Sequence, residues 1–464
     1  MSEKETEGIR AGTMGELMED YAIKPVPARF RSTLEAQFSH LSIPMCLYYL
    51  AIGSVGIALA GLKGAIICWV VSFAIITAMS TFWVRVHWRI GYSFEVTSRL
   101  FGWGHKGSIL PSAASTLLLW SFYVMEIYWI AAAWLWLWPD LSRWGLYLAL
   151  SVFFVLMTLF GHKMIAWWNY GAVPLGIGAY IYMLIHFFSM PEVSLSGVIA
   201  ACSQPMLPPE AGGLGGAMNF ALMAGALVGI CSISNYGRFA KSLKGATWMG
   251  PVQSGLCQIV FPILGALTVV PLIIVLTPIV GADMAGQMAF ETSVPFVVAM
   301  GTFGAIMVFM FQSHIQFTNI YLPSIAMSNI YNAITGKSSP RWVWVIVTTA
   351  CSLGLLAGGL FGIMVEWSGW CGLFLMVVAQ ICLADYLYRK RSGYNYTEID
   401  FKKIIAVNPL AIITFVVTCA ISIPLWKAGI FFFGPIIPGA IIAFGIYWGL
   451  TALTKAKYLK PAEA

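Results

Sequence analysis

The sequence predicts an all-α polytopic membrane protein of about twelve transmembrane helices. Three observations predict it. Of 464 residues, 59% are hydrophobic and 10% are charged, against the roughly 25% charged residues of a soluble chain. Long stretches carry no charge at all: Ala65 to Phe82, Pro251 to Val280 and Trp342 to Val365. A bilayer core takes about 20 apolar residues per helix. The 45 glycines and 19 tryptophans also suit membrane helices and their interfacial belts.

The apolar windows fall near 38–61, 64–84, 109–138, 143–162, 164–189, 216–237, 249–280, 295–330, 342–364, 370–388, 405–425 and 428–453. The third, seventh and eighth exceed one crossing and are expected to include interfacial or re-entrant pieces. The acidic start has no apolar h-region behind a basic segment, so no cleavable leader is expected. Nine scattered cysteines without a CxxC pair read as small buried hydrophobes, not as disulfides or a metal cluster.

Basic residues set the expected orientation. Arg85, Arg89, Arg99 and Lys106 follow span 2, Lys163 follows span 4, and Arg238, Lys241 and Lys244 follow span 6. Lys337 and Arg341 follow span 8, and Arg389, Lys390, Arg391, Lys402 and Lys403 follow span 10. Lys455, Lys457 and Lys460 close the chain. All fall on the side of the N-terminus; Lys63, Arg143 and Lys427 are the exceptions on the other side. The positive-inside rule then places both termini in the cytoplasm of a multi-pass protein of the cytoplasmic membrane. The net charge of +7 is accounted for by these loops and is no sign of a nucleic-acid partner.

Two spans read as interrupted. Span 1 opens Phe38-Ser39-His40-Leu41-Ser42-Ile43-Pro44 and continues to Gly53-Ser54-Val55-Gly56. Proline withdraws a backbone donor and clashes with the preceding turn. Span 6 has Gly225 and Gly229, then Ser232, Ser234 and Asn235. Interrupted helices five spans apart point to an inverted repeat with a binding site at the repeat interface; a proline kink and small-residue packing are the plainer alternative.

Glu126, near the middle of span 3, is the most informative single residue. A charge at the bilayer centre costs about 2.5–3.5 kcal/mol on insertion scales, so such an acid should face the bundle interior. It can bind an amine or amide, carry a proton, or hydrogen-bond a neighbouring helix. In span 8, Gln312, Gln316 and Asn319 recur at spacings of four and three and share one face. His314 lies among them and titrates near neutral pH; interhelical hydrogen bonding is the alternative role. Aromatic residues Trp120, Phe122, Tyr123, Tyr128 and Trp129 flank Glu126 and offer stacking faces for a flat ring or a cation. No HExxH, GxSxG, Walker motif or Cys/His cluster is present, so neither an enzyme nor an ATP-driven pump is expected, and no cofactor.

From about residue 30 to the end, the chain resembles the nucleobase:cation symporter family, which includes cytosine, hydantoin and allantoin transporters. Lys106-Gly107-Ser108-Ile109-Leu110-Pro111-Ser112 resembles the segment leading into the third helix of cytosine permeases. Asn235-Tyr236-Gly237-Arg238-Phe239-Ala240-Lys241 resembles the end of their sixth helix, and Leu383-Ala384-Asp385-Tyr386-Leu387 the end of the tenth.

The resemblance implies two inverted five-helix repeats, over 38–189 and 216–388, with additional helices over 405–453. These lie between cytoplasmic segments 1–37 and 454–464. It implies import of a small-molecule substrate, a nucleobase or related nitrogen heterocycle, with a coupling cation, sodium or proton. An amine or amino-acid-like cation is the alternative cargo. By the same resemblance the stacking position of helix 3 falls at Phe122 and its amide position at Glu126. The helix 6 aromatic position falls at Ala226, between Gly225 and Gly229, which would admit helix 6 close to substrate. The helix 8 asparagine position falls at Gln316. The ion segment of helix 1 matches His40 to Pro44, including Ile43, and the paired hydroxyl positions of helix 8 fall at His314 and Ile315. A cycle coupled through Glu126 and His314 therefore competes with sodium.

Overall fold

A computed structural model describes residues 22–32, 41, 43–391, 404–455 and 457–459. Among them are twelve long helices. Leu47–Ile90 runs on as one ribbon but is two helices, because Gly61 takes φ 64° and ψ 174°. We call its parts α1 (47–60) and α2 (62–90). Then follow α3 (Ile109–Leu137), α4 (Arg143–Thr158), α5 (Gly161–Phe188), α6 (213–237) and α7 (243–280). The last five are α8 (Thr302–Thr335), α9 (Arg341–Ala357), α10 (Met364–Arg391), α11 (Pro409–Lys427) and α12 (Ile436–Leu453). The α2–α3, α4–α5, α6–α7, α8–α9 and α10–α11 connections share one face, here called proximal. The other connections form the distal face.

The expected spans and the helices agree in number, with instructive differences in detail. The third and seventh windows are continuous helices rather than a crossing plus a re-entrant piece. The eighth does divide, into a short helix Val294–Met300 and α8, at Gly301 with φ 58°. Span 1 is non-helical at 43–46, around Pro44, before α1 begins at Leu47. His40 lies outside the described residues. Span 6 is not unwound: it passes through a π-helical stretch, Leu227–Ser232, and stays helical to Gly237. A π turn skips one hydrogen bond and bends the axis without exposing a run of backbone. α7 has a similar stretch, Leu256–Val260, just before Pro262, whose ring nitrogen has no hydrogen to donate.

The helices form two packing groups. α1 and α2 pack on α6 and α7; α3 packs along α8, with α4, α5 and α9 around that pair. The α1–α7 approach requires glycine. A Cβ at Gly53 would stand 1.9 Å from the Pro262 carbonyl oxygen, and one at Gly265 would stand 2.0 Å from that of Leu50. With these glycines the two backbones touch, as small-residue membrane interfaces do. α10 packs on α6 and α12. Val152, Leu156, Ile181, Ile185 and Ile441 are exposed, as a lipid-facing shell requires. In the centre the polarity inverts. Glu126, Gln312, His314, Gln316 and Asn319 are fully buried, where helices α1, α3 and α8 converge.

Candidate functional site

The helix start at Leu47 is the geometric origin of the site. Its N-cap, Cys46, makes no side-chain cap hydrogen bond. The first backbone N–H groups of a helix have no partner inside it, and its dipole favours negative charge there. α8 supplies the missing acceptor: the Leu47 N–H donates to Gln312 Oε1 at 2.9 Å. Gln312 Nε2 in turn donates to Glu126 Oε2 on α3. The Cys46 side chain and the Tyr48 main chain border the same carboxyl. Its second oxygen, Oε1, has no hydrogen-bond partner. A buried acid with one free oxygen therefore sits at the positive end of a half-helix, linked to three helices by one amide.

One turn further along α8, Gln316 is turned the same way but is otherwise engaged. Its Nε2 donates to the Tyr123 carbonyl at 3.2 Å, and its Oε1 accepts from Asn319 at 3.3 Å. Gln312, not Gln316, is thus the amide that meets Glu126. Sequence periodicity had put both on one face; what it lacked was the height of Glu126 relative to α8.

Aromatic rings lie beside this network, with Phe122 one turn before Glu126 on α3. The Tyr48 ring meets Phe122 edge-on at 4.8 Å between centroids and stacks on Phe220 at 4.5 Å with 22° between planes. Its hydroxyl donates to the Phe220 carbonyl at 2.7 Å. Phe122 is thus buried against the Tyr48 ring. The α6 ring that reaches it through Tyr48 is Phe220, nearly two turns before Ala226, and Phe220 was missed. A signal existed: Phe220 is the one aromatic residue between Gly212 and Asn235. Ala226 is buried in the packing of α6. Gly225 and Gly229 face α2 rather than the rings, with Ile76 lying 2.4 Å from a Cβ built at Gly225 and 3.5 Å from one at Gly229. They set the α2–α6 spacing.

Beside the break, Ile43 is fully buried and the Met45 main chain faces His314. The His314 ring packs on Phe311 at 5.6 Å, and neither ring nitrogen makes a hydrogen bond. Ile315 is buried and apolar. The neighbouring hydroxyls are spent within the fold: Ser313 donates to the Phe309 carbonyl at 2.5 Å, and Thr318 pairs with the Tyr236 hydroxyl at 2.9 Å. Sodium prefers several oxygen ligands. The side chains here offer an imidazole and a sec-butyl group instead.

The distal side is open. A cavity of about 730 Å³ reaches down to Met125, Trp129 and Phe220 and is rimmed by Glu210, Glu291, Glu366 and Lys427. Glu366 pairs with Lys427. Glu291 accepts from Tyr128 at 3.0 Å, and burial pushes its carboxyl above its ordinary value. Asn219 lines the same cavity, with neither end of its amide hydrogen-bonded. The loop bearing Glu291 also latches the core. Ser54 donates to the Ala289 carbonyl at 2.6 Å, and Trp129 to that of Phe290 at 2.7 Å.

The proximal side is closed by polar clamps. Glu95, in the short helix Phe94–Ser98, accepts from Ser115 of α3 at 3.2 Å and from Asn235 of α6 at 3.3 Å. Arg99 Nε donates to Asn329 Oδ1 of α8 at 2.8 Å, and Asn329 donates to Ser112 of α3 at 2.9 Å. The cavity thus ends at Met125, Trp129 and Phe220, just short of the buried Glu126 network, while the clamps close the proximal side.

No family model matches the sequence, and no curated protein matches it. Among solved structures the chain is similar to Mhp1, a nucleobase-cation-symport-1 family transporter, in a closed conformation with bromovinylhydantoin bound. The TM-score is 0.70 at 17% identity, covering 95% of this chain and 96% of that one. An inward-facing Mhp1 structure matches with a TM-score of 0.70 at 15% identity, over 93% of each chain. A Na⁺-coupled sialic acid symporter in a substrate-bound outward-open state matches with a TM-score of 0.66 at 14% identity, over 98% of this chain and 94% of that one. The chain is therefore an all-helical membrane protein with the five-plus-five inverted-repeat fold and two additional C-terminal helices. At these identities the likeness carries the fold and not the cargo.

Proposed function

We propose that this protein is a secondary active transporter of the cytoplasmic membrane that imports a nucleobase or related small nitrogen heterocycle by alternating access, coupled to a proton. Its repeats span 38–189 and 216–388, and both termini face the cytoplasm. The observation that carries the reading is Glu126: a fully buried acid at the N-terminus of a half-helix, with one carboxyl oxygen bonded to Gln312 and the other free. Intramembrane acids that face a bundle interior mark ion or substrate paths. The free oxygen can take a proton or an N–H of the cargo.

The rings beside it favour a flat cargo. Tyr48 fills the space between Phe122 and Phe220 in this state, and a planar ring entering from the distal cavity would take its stacking place. Protons are favoured over sodium by the donor set next to the α1 break, His314 and Ile315, whose neighbours Ser313 and Thr318 are already bonded. One observation supports an amine or amino-acid-like cation as the alternative cargo. Three carboxylates and one ammonium rim the distal cavity, and such a field concentrates cations.

Uptake into proteoliposomes tests the reading. Labelled cytosine or hydantoin is competed with simple amines, with and without sodium, at two pH values. Heterocycle uptake that rises on outside acidification and ignores sodium is the expected result. Uptake of amines alone would move the assignment to the alternative. Uptake that follows sodium and not pH would remove the proton.

A further inference from the structure

We propose that the proximal end of the α2–α10 groove is a binding site for an anionic glycerophospholipid. A groove of about 420 Å³ runs between these helices and opens to their outer surface. Its floor is mostly apolar: Ala78, Phe82 and Val86 of α2, with the Phe82 ring edge-on to Tyr386 of α10 at 5.1 Å, beside the hydroxyls of Thr81 and of Thr77, the latter paired with Ser254. Its proximal mouth is cationic. Arg85 and Arg89, four residues apart on one face of α2, meet Lys390 of α10, and all three are exposed.

No acid lines the groove among the described residues. The nearby carboxylate on α10, Asp385, is already committed: Oδ2 accepts from Arg389 at 2.6 Å and Oδ1 from the Tyr447 hydroxyl at 2.7 Å. It is fully buried and does not line the groove that the three cations face. Charge bias between the two faces explains why basic residues collect on the proximal side. It does not explain three of them converging from two helices over an apolar trough.

The order along the groove matches a lipid. Apolar floor lies at membrane depth and positive charge at the helix ends, so an acyl chain lies on Ala78 and Phe82 while the phosphate sits among Arg85, Arg89 and Lys390. Basic pockets between transmembrane helices hold anionic headgroups in this manner. A zwitterionic headgroup carries its own cation and leaves the three charges unbalanced. The lipid would bridge α2 to α10, which already touch through Phe82 and Tyr386. This inference stands apart from the transport reading.

The test is lipid retention by the purified full-length protein. Native mass spectrometry reads bound lipid after exchange into detergent with phosphatidylglycerol, phosphatidylcholine or inorganic phosphate, and the thermal midpoint is followed in parallel. Wild type is expected to keep phosphatidylglycerol over phosphatidylcholine and to gain thermal stability from it. Each basic side chain near a headgroup contributes roughly fivefold in affinity, so R85A/R89A/K390A should bind on the order of a hundredfold more weakly. A second variant, A78W, fills the trough without touching charge, so it also guards against altered insertion of the triple variant, and it should lose the lipid too. Undiminished phosphatidylglycerol binding by either variant overturns the site. Competition by inorganic phosphate at matched concentration also overturns it, in favour of a soluble anion.

Discussion

Replacing Glu126 with glutamine separates its proton from its shape. The carboxyl oxygen that receives Gln312 Nε2 becomes an amide oxygen that accepts the same hydrogen bond, and the Leu47 N–H keeps its bond to Gln312. Fold stability should move by less than about 1 kcal/mol, since a membrane interhelical hydrogen bond averages about 0.6 kcal/mol. Glu126→Ala differs. It strands the Gln312 donor in a fully buried position, at a cost of about 1–3 kcal/mol. The thermal midpoint in detergent should therefore fall for Glu126→Ala and hold for Glu126→Gln, and both should insert. Transport should divide the other way. Uptake by Glu126→Gln should lose its dependence on a pH gradient while downhill exchange persists, because the glutamine cannot give up or take a proton. If Glu126→Gln keeps the wild-type pH profile, the coupling role assigned to this residue is wrong. If Glu126→Ala keeps both profile and rate, its central position is irrelevant to transport.

Other consequences follow from the packing and the clamps. Gly53→Ala or Gly265→Ala should cost about 1–3 kcal/mol through overpacking, read as a lowered midpoint, because each methyl would meet backbone of the opposite helix. Glu95 lies in the α2–α3 linker, and burial raises its carboxyl above the ordinary range despite bonds from Asn235 and Ser115 and the nearby Arg238. An acid with a raised folded value stabilises the closed clamp below its free-chain pKa and loses that contribution as pH rises through the folded value. Proximal accessibility, read by labelling a cysteine introduced at the neighbouring buried Ala114, should therefore increase on alkalinisation, and Glu95→Gln should abolish the change. Lys427→Ala should shift stability by under about 1 kcal/mol, since the Glu366–Lys427 pair is half-exposed; a larger loss would mean that the pair bears on closure of the distal cavity.

The scaffold was legible because hydropathy and charge bias act over whole spans. Twelve windows, a polar α8 face and a buried acid on α3 can all be read without coordinates. Site detail was less legible, for physical reasons that differ by residue. Gln312 and Gln316 share a helical face, and only the relative height of α3 and α8 decides which one meets Glu126. Phe220 was passed over because which α6 ring meets Tyr48 depends on how α6 is set in height against α1, which helical periodicity does not fix. Gly225 and Gly229 were read as room for cargo, whereas small residues serve equally to bring two helices together. They do so here against Ile76. Proline at position 44 was the reliable sign: its missing donor and its steric clash fall beside the non-helical turn that opens the site.

The most direct test of the central claim is uptake of labelled cytosine or hydantoin into sodium-free proteoliposomes under an imposed pH gradient, acid outside. Accumulation above equilibrium that collapses with a protonophore, and is absent from Glu126→Gln, is the expected result. Accumulation that needs sodium and is indifferent to the pH gradient would contradict the account.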